Sequence, residues 1–294
     1  PVTGAEAVAA IPPEERARLQ GRSDRRGVAH LLGHGGAVVV TGGLIAAGVP
    51  FWWLLLPVQG VLLAFLFTLA HECTHATPFA SRRLNEAVGH LCGALLLLPF
   101  RWFRAFHLAH HRFTNVEGDP EIEGPRPRTR REWAWHVTGL PVWRGQAATI
   151  LRLASGRFAA PYASPRAVPA MAREARALLG LYALAALSLA WSPLLLWLWV
   201  VPLLLGQPAL RLYLLAEHGD CPQVADMLLN TRTTFTTGLV RWLAWNMPYH
   251  AEHHLMPNVP FHRLPDLHGH VRAHLGVTAE GYAAFNRDYL ARRP

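Results

Sequence analysis

Lysine is absent from this chain: all 28 basic residues are arginine, set against only 19 acids. Charged residues make up 16% of the sequence and hydrophobic ones 51%, where a soluble globular domain carries about a quarter charged residues. That scarcity excludes an ordinary water-facing surface and points to a membrane protein or a very apolar core. Cysteine is nearly absent too. Cys73, Cys92 and Cys221 are scattered and form no CxxC pair, which argues against a disulfide framework and against a cysteine-ligated iron–sulfur cluster. The net charge of +9 raises nucleic acid as a partner. The arginines, however, flank long apolar runs and no nucleic-acid motif accompanies them, so none is expected. No repeat of solenoid period is present. The first 30 residues are polar, with Arg16, Arg18, Arg22, Arg25 and Arg26, so the internal apolar segments are expected to direct insertion.

Residues 31–70 contain no Asp, Glu, Lys or Arg, and a helix needs about 20 residues to cross the hydrocarbon core. The stretch holds two spans, broken at Gly48-Val49-Pro50, because proline ends one helix and can begin the next. Residues 177–210 are likewise free of charge. Their break falls at Trp191-Ser192-Pro193, and the second helix continues through Leu215. The expected architecture is an all-α membrane protein with four transmembrane helices in two hairpins, about 31–70 and 177–215. A helical cap from 71–176 and 216–294 completes a single domain, 31–294, preceded by an N-terminal segment, 1–30. Thirteen arginines lie between Arg101 and Arg176 and none at the hairpin tips, so both termini and the cap are expected on the cytoplasmic side. Trp52, Trp53 and Trp191 suit the opposite interface. Segment 87–100 is too short to span and reads as a buried, re-entrant or interfacial helix. The run 124–131 (GPRPRTRR) and the region of Pro161, Pro165 and Pro169 read as linkers.

Histidine clusters carry the chemistry. His71 and His75 form an HxxxH pair, His107, His110 and His111 an HxxHH set, and His250, His253 and His254 a second HxxHH set. On a helix, positions i, i+3 and i+4 share one face, so each cluster presents its imidazoles together. His218 follows the fourth expected span and reaches the same side. Nine imidazoles exceed what one ion accepts and suit two, and imidazole favours iron, zinc or copper over magnesium or calcium. Glu72, Glu217 and Glu252 adjoin these histidines and Asp119 follows the second set closely, so they are candidates for orienting the ligands; salt bridges to arginine are the plainer alternative. His30 and His34 read as interfacial. His90 and His136 lack partners at ligand spacing, and His262, His268, His270 and His274 read as surface or supporting residues.

In this order, HxxxH, HxxHH, HxxHH between two membrane hairpins, with HHRFTNVEGDPE and WNMPYHAEHHLMPNVPFHRLPDLH around the later clusters, the chain resembles the integral-membrane fatty acid desaturase and hydroxylase superfamily. The resemblance runs from about His71 to His270. It implies two iron ions, with zinc able to replace them in a purified sample, held at the cytoplasmic face of a membrane, here a bacterial cytoplasmic membrane. It implies His71, His75, His107, His110, His111, His218, His250, His253 and His254 as ligands, and Asn246 as a candidate for holding a water near the metal. The implied reaction uses O2 and two external electrons to desaturate a fatty acyl or related lipid chain. The same ligands support hydroxylation or a carotenoid-type oxygenation, so the reaction stays open between these. No flavin, nicotinamide or cytochrome fingerprint occurs, which implies a separate donor: a ferredoxin, rubredoxin or cytochrome. Arginines facing the cytoplasm would steer an acidic carrier or contact anionic lipid.

Two rival readings belong to other classes. His71-Glu72-Cys73-Thr74-His75 satisfies HExxH, the zinc motif of a metalloprotease, but that reading leaves five or six clustered histidines idle. A metal transporter would line its spans with polar residues, and these spans offer few.

Overall fold

The computed structural model describes residues 2–122 and 126–294; Gly124 and Pro125 of the expected linker lie outside them. Two short helices, α1 (Gly4–Ala9) and α2 (Pro13–Leu19), lead into α3 (Asp24–Ala46). Thr3 and Glu6 close a capping box on α1, and the Ser23 hydroxyl caps α3 by accepting from the Arg26 N–H. The division expected at residue 30 therefore falls inside a helix. Its charged first turn forms ahead of the apolar stretch because Ser23 supplies an N-cap there.

The first hairpin breaks where expected. Gly48 and Phe51 both have positive φ, and a 3₁₀ turn, Trp52–Leu54, restarts the chain into α4 (Leu55–Ala64) and α5 (Leu66–Thr74). Next come α6 (Arg82–Leu95) and α7 (Phe100–Phe113), bent 103° from one another. Leu97 at φ 57° and Pro99, just before α7, make that corner, an elbow, so segment 87–100 holds the end of α6 and the turn into α7. Three short connections follow: α8 (Arg130–Val137), α9 (Leu140–Ala154) and the loop to α10 (Val168–Ser188). A π-helical turn, Leu196–Val200, opens α11 (Val201–His218). The rest of the chain is α12 (Met227–Asn230), α13 (Gly238–Leu243), α14 (His250–Leu255), α15 (Leu264–Val271) and α16 (Tyr282–Ala291). Two parallel two-residue strands, β1 (Thr233–Thr234) and β2 (Thr278–Ala279), clip this part together.

Three stretches among the described residues are long and apolar enough to cross a membrane: those ending at Ala46, Thr74 and His218. The bent α6–α7 pair makes a fourth if it counts as one span. Helix α10, expected as the third crossing, is not among them. Its first half carries Arg173, Glu174 and Arg176, and Glu174 is committed to the elbow, accepting the N–H groups of Phe100 and Arg101 at 2.9 and 3.0 Å and lying 2.8 Å from His90 Nδ1.

His34 overturns its interfacial reading. It is fully buried, its Nδ1 accepts from Trp245 Nε1 at 3.1 Å, and its Nε2 lies 2.9 Å from the Leu62 carbonyl. The first bond fixes the tautomer, so Nε2 carries the proton and donates. His30 Nε2 meets the Trp242 carbonyl at 2.8 Å. The tryptophan-bearing segment before α14 folds back onto α3, covering His34 and packing against the half-buried His30.

Helices α4 and α11 cross with their backbones nearly in contact. A Cβ on Gly60 would lie 2.0 Å from the Pro202 carbonyl oxygen, and one on Gly206 would lie 2.0 Å from that of Gly60. Small residues permit such crossings between apolar helices. This packing brings the histidine-bearing ends of α5 and α11 to one region of the molecule. Gly206→Val is expected to cost about 3 kcal/mol or more and to lower the thermal unfolding midpoint in detergent by many degrees. Gly43→Ala, where an added Cβ meets nothing within 4 Å, should leave that midpoint unchanged or raise it slightly.

Candidate metal centre

Nine histidines converge from four helix termini. His71 lies in the last turn of α5 and His75 caps it; His107, His110 and His111 line the end of α7; His218 is the last residue of α11; His250, His253 and His254 occupy the short α14. Each helix stops where its histidines must turn inward. Ala76 follows α5 with φ 54°, and the consecutive positive φ values of Trp245 and Asn246 aim α14 at the other three. All but His75 and His111 are buried.

The histidines divide into two groups. His71, His75, His107, His111 and His253 place one nitrogen each within 4.8 Å of one another, and so do His110, His218 and His254. His250 joins the second group, its Nε2 3.1 Å from His218 Nε2. Across the groups the His111 and His254 rings stack 4.0 Å apart at 11°. Facing Nε2 atoms approach to 2.9 Å in His75–His107 and 3.2 Å in His111–His253 and His110–His218. Neighbouring donors on one ion at a metal–nitrogen distance of about 2.1 Å sit about 3 Å apart in octahedral geometry.

Protons alone satisfy this cluster poorly. His218 Nε2 faces two other Nε2 atoms, both nitrogens of His71 are buried without a partner, and so is His254 Nε2. Burial, reinforced by the neighbouring imidazoles, holds His250, His253 and His254 well below the ordinary histidine range, and pushes His75 down to about 3. Neutral rings keep their lone pairs free, as a metal ligand requires. The donor set therefore fits two imidazole-bound ions.

The outward nitrogens are held by oxygen. His110 Nδ1 meets Asp119 at 2.9 Å, His218 Nδ1 the Asn230 carbonyl at 3.3 Å, and His254 Nδ1 the Thr114 hydroxyl at 3.1 Å. Glu72 approaches His253 Nδ1, and Glu217 approaches His250 Nδ1, each at 3.5 Å. These two pairs are close but not aligned as hydrogen bonds, since both nitrogens lack a bonding partner. Burial would raise the Asp119 carboxyl, but the His110 bond and the N–H groups of Asn115 and Glu121 outweigh it and hold the group below its usual range.

Of the four acids singled out in the sequence, three thus face a histidine of the cluster, and only Asp119 faces one from its own neighbourhood. Glu252 faces His268 Nδ1 and the Thr233 hydroxyl, both at 2.5 Å, bracing α14 against α15 and β1. Asn246 stands in the left-handed turn before α14 and donates its amide to the Phe261 carbonyl at 3.0 Å, which commits it to the turn. Glu72 also accepts from Thr77 and from the Phe261 N–H, unlike a free general base of a zinc protease. Sequence reasoning missed Thr114, Asn115, Asn230 and Arg126. Asn115 donates to the Asn230 carbonyl at 2.7 Å, Asn230 to the Thr114 carbonyl at 2.9 Å, and Arg126 to Asn115 Oδ1 and the His218 carbonyl at 2.7 and 3.2 Å. Only the Thr-Asn directly after His111-Arg112-Phe113 offered a local signal. Removing an oxygen partner of a ligand histidine typically costs 10–100-fold in metal affinity, so Asp119→Asn should weaken metal retention by about that factor in a chelator titration. Glu252→Gln should weaken it far less.

The family model described as "Fatty acid desaturase" matches residues 18–286. An endoplasmic-reticulum omega-3 fatty acid desaturase of Vigna radiata is 40% identical over 62 residues, covering 21% of this chain and 16% of that protein. A Delta(12) fatty acid desaturase of Mortierella isabellina is 30% identical over 101 residues, 34% of this chain and 23% of that one. A Synechocystis protein named sn-1 acyl-lipid omega-3 desaturase (ferredoxin) is 32% identical over 88 residues, 30% of this chain and 24% of that one. The matched segments span a quarter or less of these relatives' length. With paired histidine groups at the ends of apolar helices and a family match over most of its length, the chain belongs to the fatty acid desaturase family.

Proposed function

We propose that this protein is a membrane oxidoreductase that uses O2 and two electrons from a separate carrier to place a double bond in a fatty acyl or related lipid chain. The observation that carries this reading is the division of nine histidines into two facing groups, five around His71 and four around His218. In this reading His71, His75, His107, His111 and His253 hold one iron, and His110, His218, His250 and His254 the other. Two ferrous ions bound there supply the power to activate O2 and abstract hydrogen from an unactivated C–H bond.

The chain's own residues do the rest. Asp119, Asn230 and Thr114 fix ring orientation through Nδ1, so that Nε2 of His110, His218 and His254 points inward. Glu72 and Glu217 lie 3.5 Å from His253 Nδ1 and His250 Nδ1, placed to orient those two rings. Burial of the cluster keeps bulk water from the reacting carbon. Desaturation is favoured over hydroxylation because the similar proteins are named desaturases, one of them with ferredoxin in its name. The thirteen arginines from Arg101 to Arg176 support a cytoplasmic histidine side by the positive-inside rule and would attract an acidic donor.

Cells producing the native chain should gain unsaturated acyl chains that cells producing His110→Ala lack, read by mass spectrometry of total lipids. A new hydroxyl or keto product instead would move the assignment to a hydroxylase or ketolase. Purified protein should carry close to two irons per chain, and a value near one would count against the ligand set.

A further inference from the structure

The two histidine groups differ in how their outward nitrogens are held. In the His218 half, three of the four rings set Nδ1 against an oxygen: His110 on Asp119, His218 on the Asn230 carbonyl and His254 on Thr114. Thr114 gives its own hydrogen to the His110 carbonyl at 2.8 Å, so its oxygen accepts from His254. All three partners are acceptors. Nδ1 therefore carries the proton in each ring and Nε2 keeps its lone pair. Those bare nitrogens are the ones that converge: His110 and His218 Nε2 lie 3.2 Å apart, and His254 Nε2 is buried with no other partner.

In the His71 half no ring nitrogen bonds to an oxygen among the described residues. His75 pairs only with His107, and His111 only with His253, nitrogen to nitrogen. The Nδ1 atoms of His71, His111 and His253 are buried without a partner. A neutral imidazole holds its proton on either nitrogen, and nothing here imposes the tautomer that a ligand needs. His75 and His111 are also the two ligand histidines that are only half-buried.

The oxygens behind the His218 half form one connected unit. Asn115, left-handed at φ 60°, donates its backbone N–H to Asp119 at 2.8 Å and its amide to the Asn230 carbonyl, and Asn230 donates to the Thr114 carbonyl. Thr114, Asn115, Asp119 and Asn230 are at most 1% exposed. Arg126 ties Asn115 to the His218 carbonyl. A buried and satisfied polar network rigidifies what it holds, and these bonds join protein atoms alone, so they do not depend on an ion. The His71 half has one imidazole more, but it must select tautomers and order its rings as an ion binds. Each oxygen partner of a ligand histidine is worth about 10–100-fold in metal affinity, and three such partners against none set the order.

We infer that the two halves are unequal toward metal: the Thr114–Asn115–Asn230 unit makes the His218 half the one filled first and emptied last, and leaves the His71 half exchangeable. Thr114, Asn115 and Asn230 are positioning residues in this scheme. It rests on the two-ion part of the proposed function and is independent of the reaction and the substrate.

The test is a chelator challenge of purified protein loaded anaerobically with ferrous iron enriched in the Mössbauer isotope, reading iron content and spectrum together. Iron should leave the native protein in two steps with a plateau near one per chain, the second step needing at least about tenfold more chelator. His75→Ala, which removes a ligand of the His71 half, should bind one ion with the plateau spectrum, and His218→Ala should not give that spectrum. Thr114→Val, and Asn115→Gly, which keeps the left-handed backbone, should each bring the second step down by about 10–100-fold. Thr114→Ser retains the hydroxyl and should hold that step at the native position. Loss of both ions from the native protein in a single step would overturn the proposal. So would a plateau spectrum reproduced by His218→Ala, or a second step unmoved in both Thr114→Val and Asn115→Gly. A native protein that never takes up two ions would instead sink the two-ion reading, and the proposal with it.

Discussion

Nine imidazoles brought within a few ångströms of each other are an unstable arrangement for a protein by itself. Protonated, they repel; neutral, they face lone pair against lone pair, as His218 Nε2 does toward both His110 and His250. Every helix that contributes a histidine ends at the cluster, so the packing of α5, α7, α11 and α14 is in effect the wall of a metal chamber. The glycine crossing of α4 and α11 matters for the same reason. It fixes where the ends of α5 and α11 meet, and hence whether His71 and His218 can belong to one site.

Around that wall the polar chemistry is arranged by reach rather than by sequence proximity. Glu72 adjoins His71 but serves His253; Glu217 adjoins His218 but serves His250. Neighbours on a helix are rotated by roughly 100°, so a residue beside a ligand cannot share its direction and turns to the next element instead. Asp119 escapes this because it lies on a loop, where the chain curls back on His110. The same logic explains Glu252, which points away from the metal toward His268.

Much was legible in advance. The hairpin break at Gly48–Pro50, the elbow at 87–100, the three histidine clusters and the participation of His218 all follow from local signals: charge-free length, proline and glycine placement, and helical spacing. Elsewhere long-range contacts decided what local signals could not reveal. His34 read as interfacial because nothing near it in sequence reveals Trp245, which lies 211 residues away and donates to it. Helix α10 read as a crossing because residues 177–190 are apolar, yet its earlier half is drawn to the elbow through Glu174. Asn246, a candidate for holding a water near the metal, gives its backbone and one amide hydrogen to the turn that aims α14.

By itself the sequence determined that the chain is apolar, largely helical, arginine-flanked and equipped with nine imidazoles at ligand spacing, because composition and periodicity are local properties. Which histidines share a site and which oxygen holds each outward nitrogen were decided only by tertiary structure. Those depend on how helices cross and where turns aim them, and a few degrees at Gly60–Gly206 or at Trp245–Asn246 would regroup the same residues entirely.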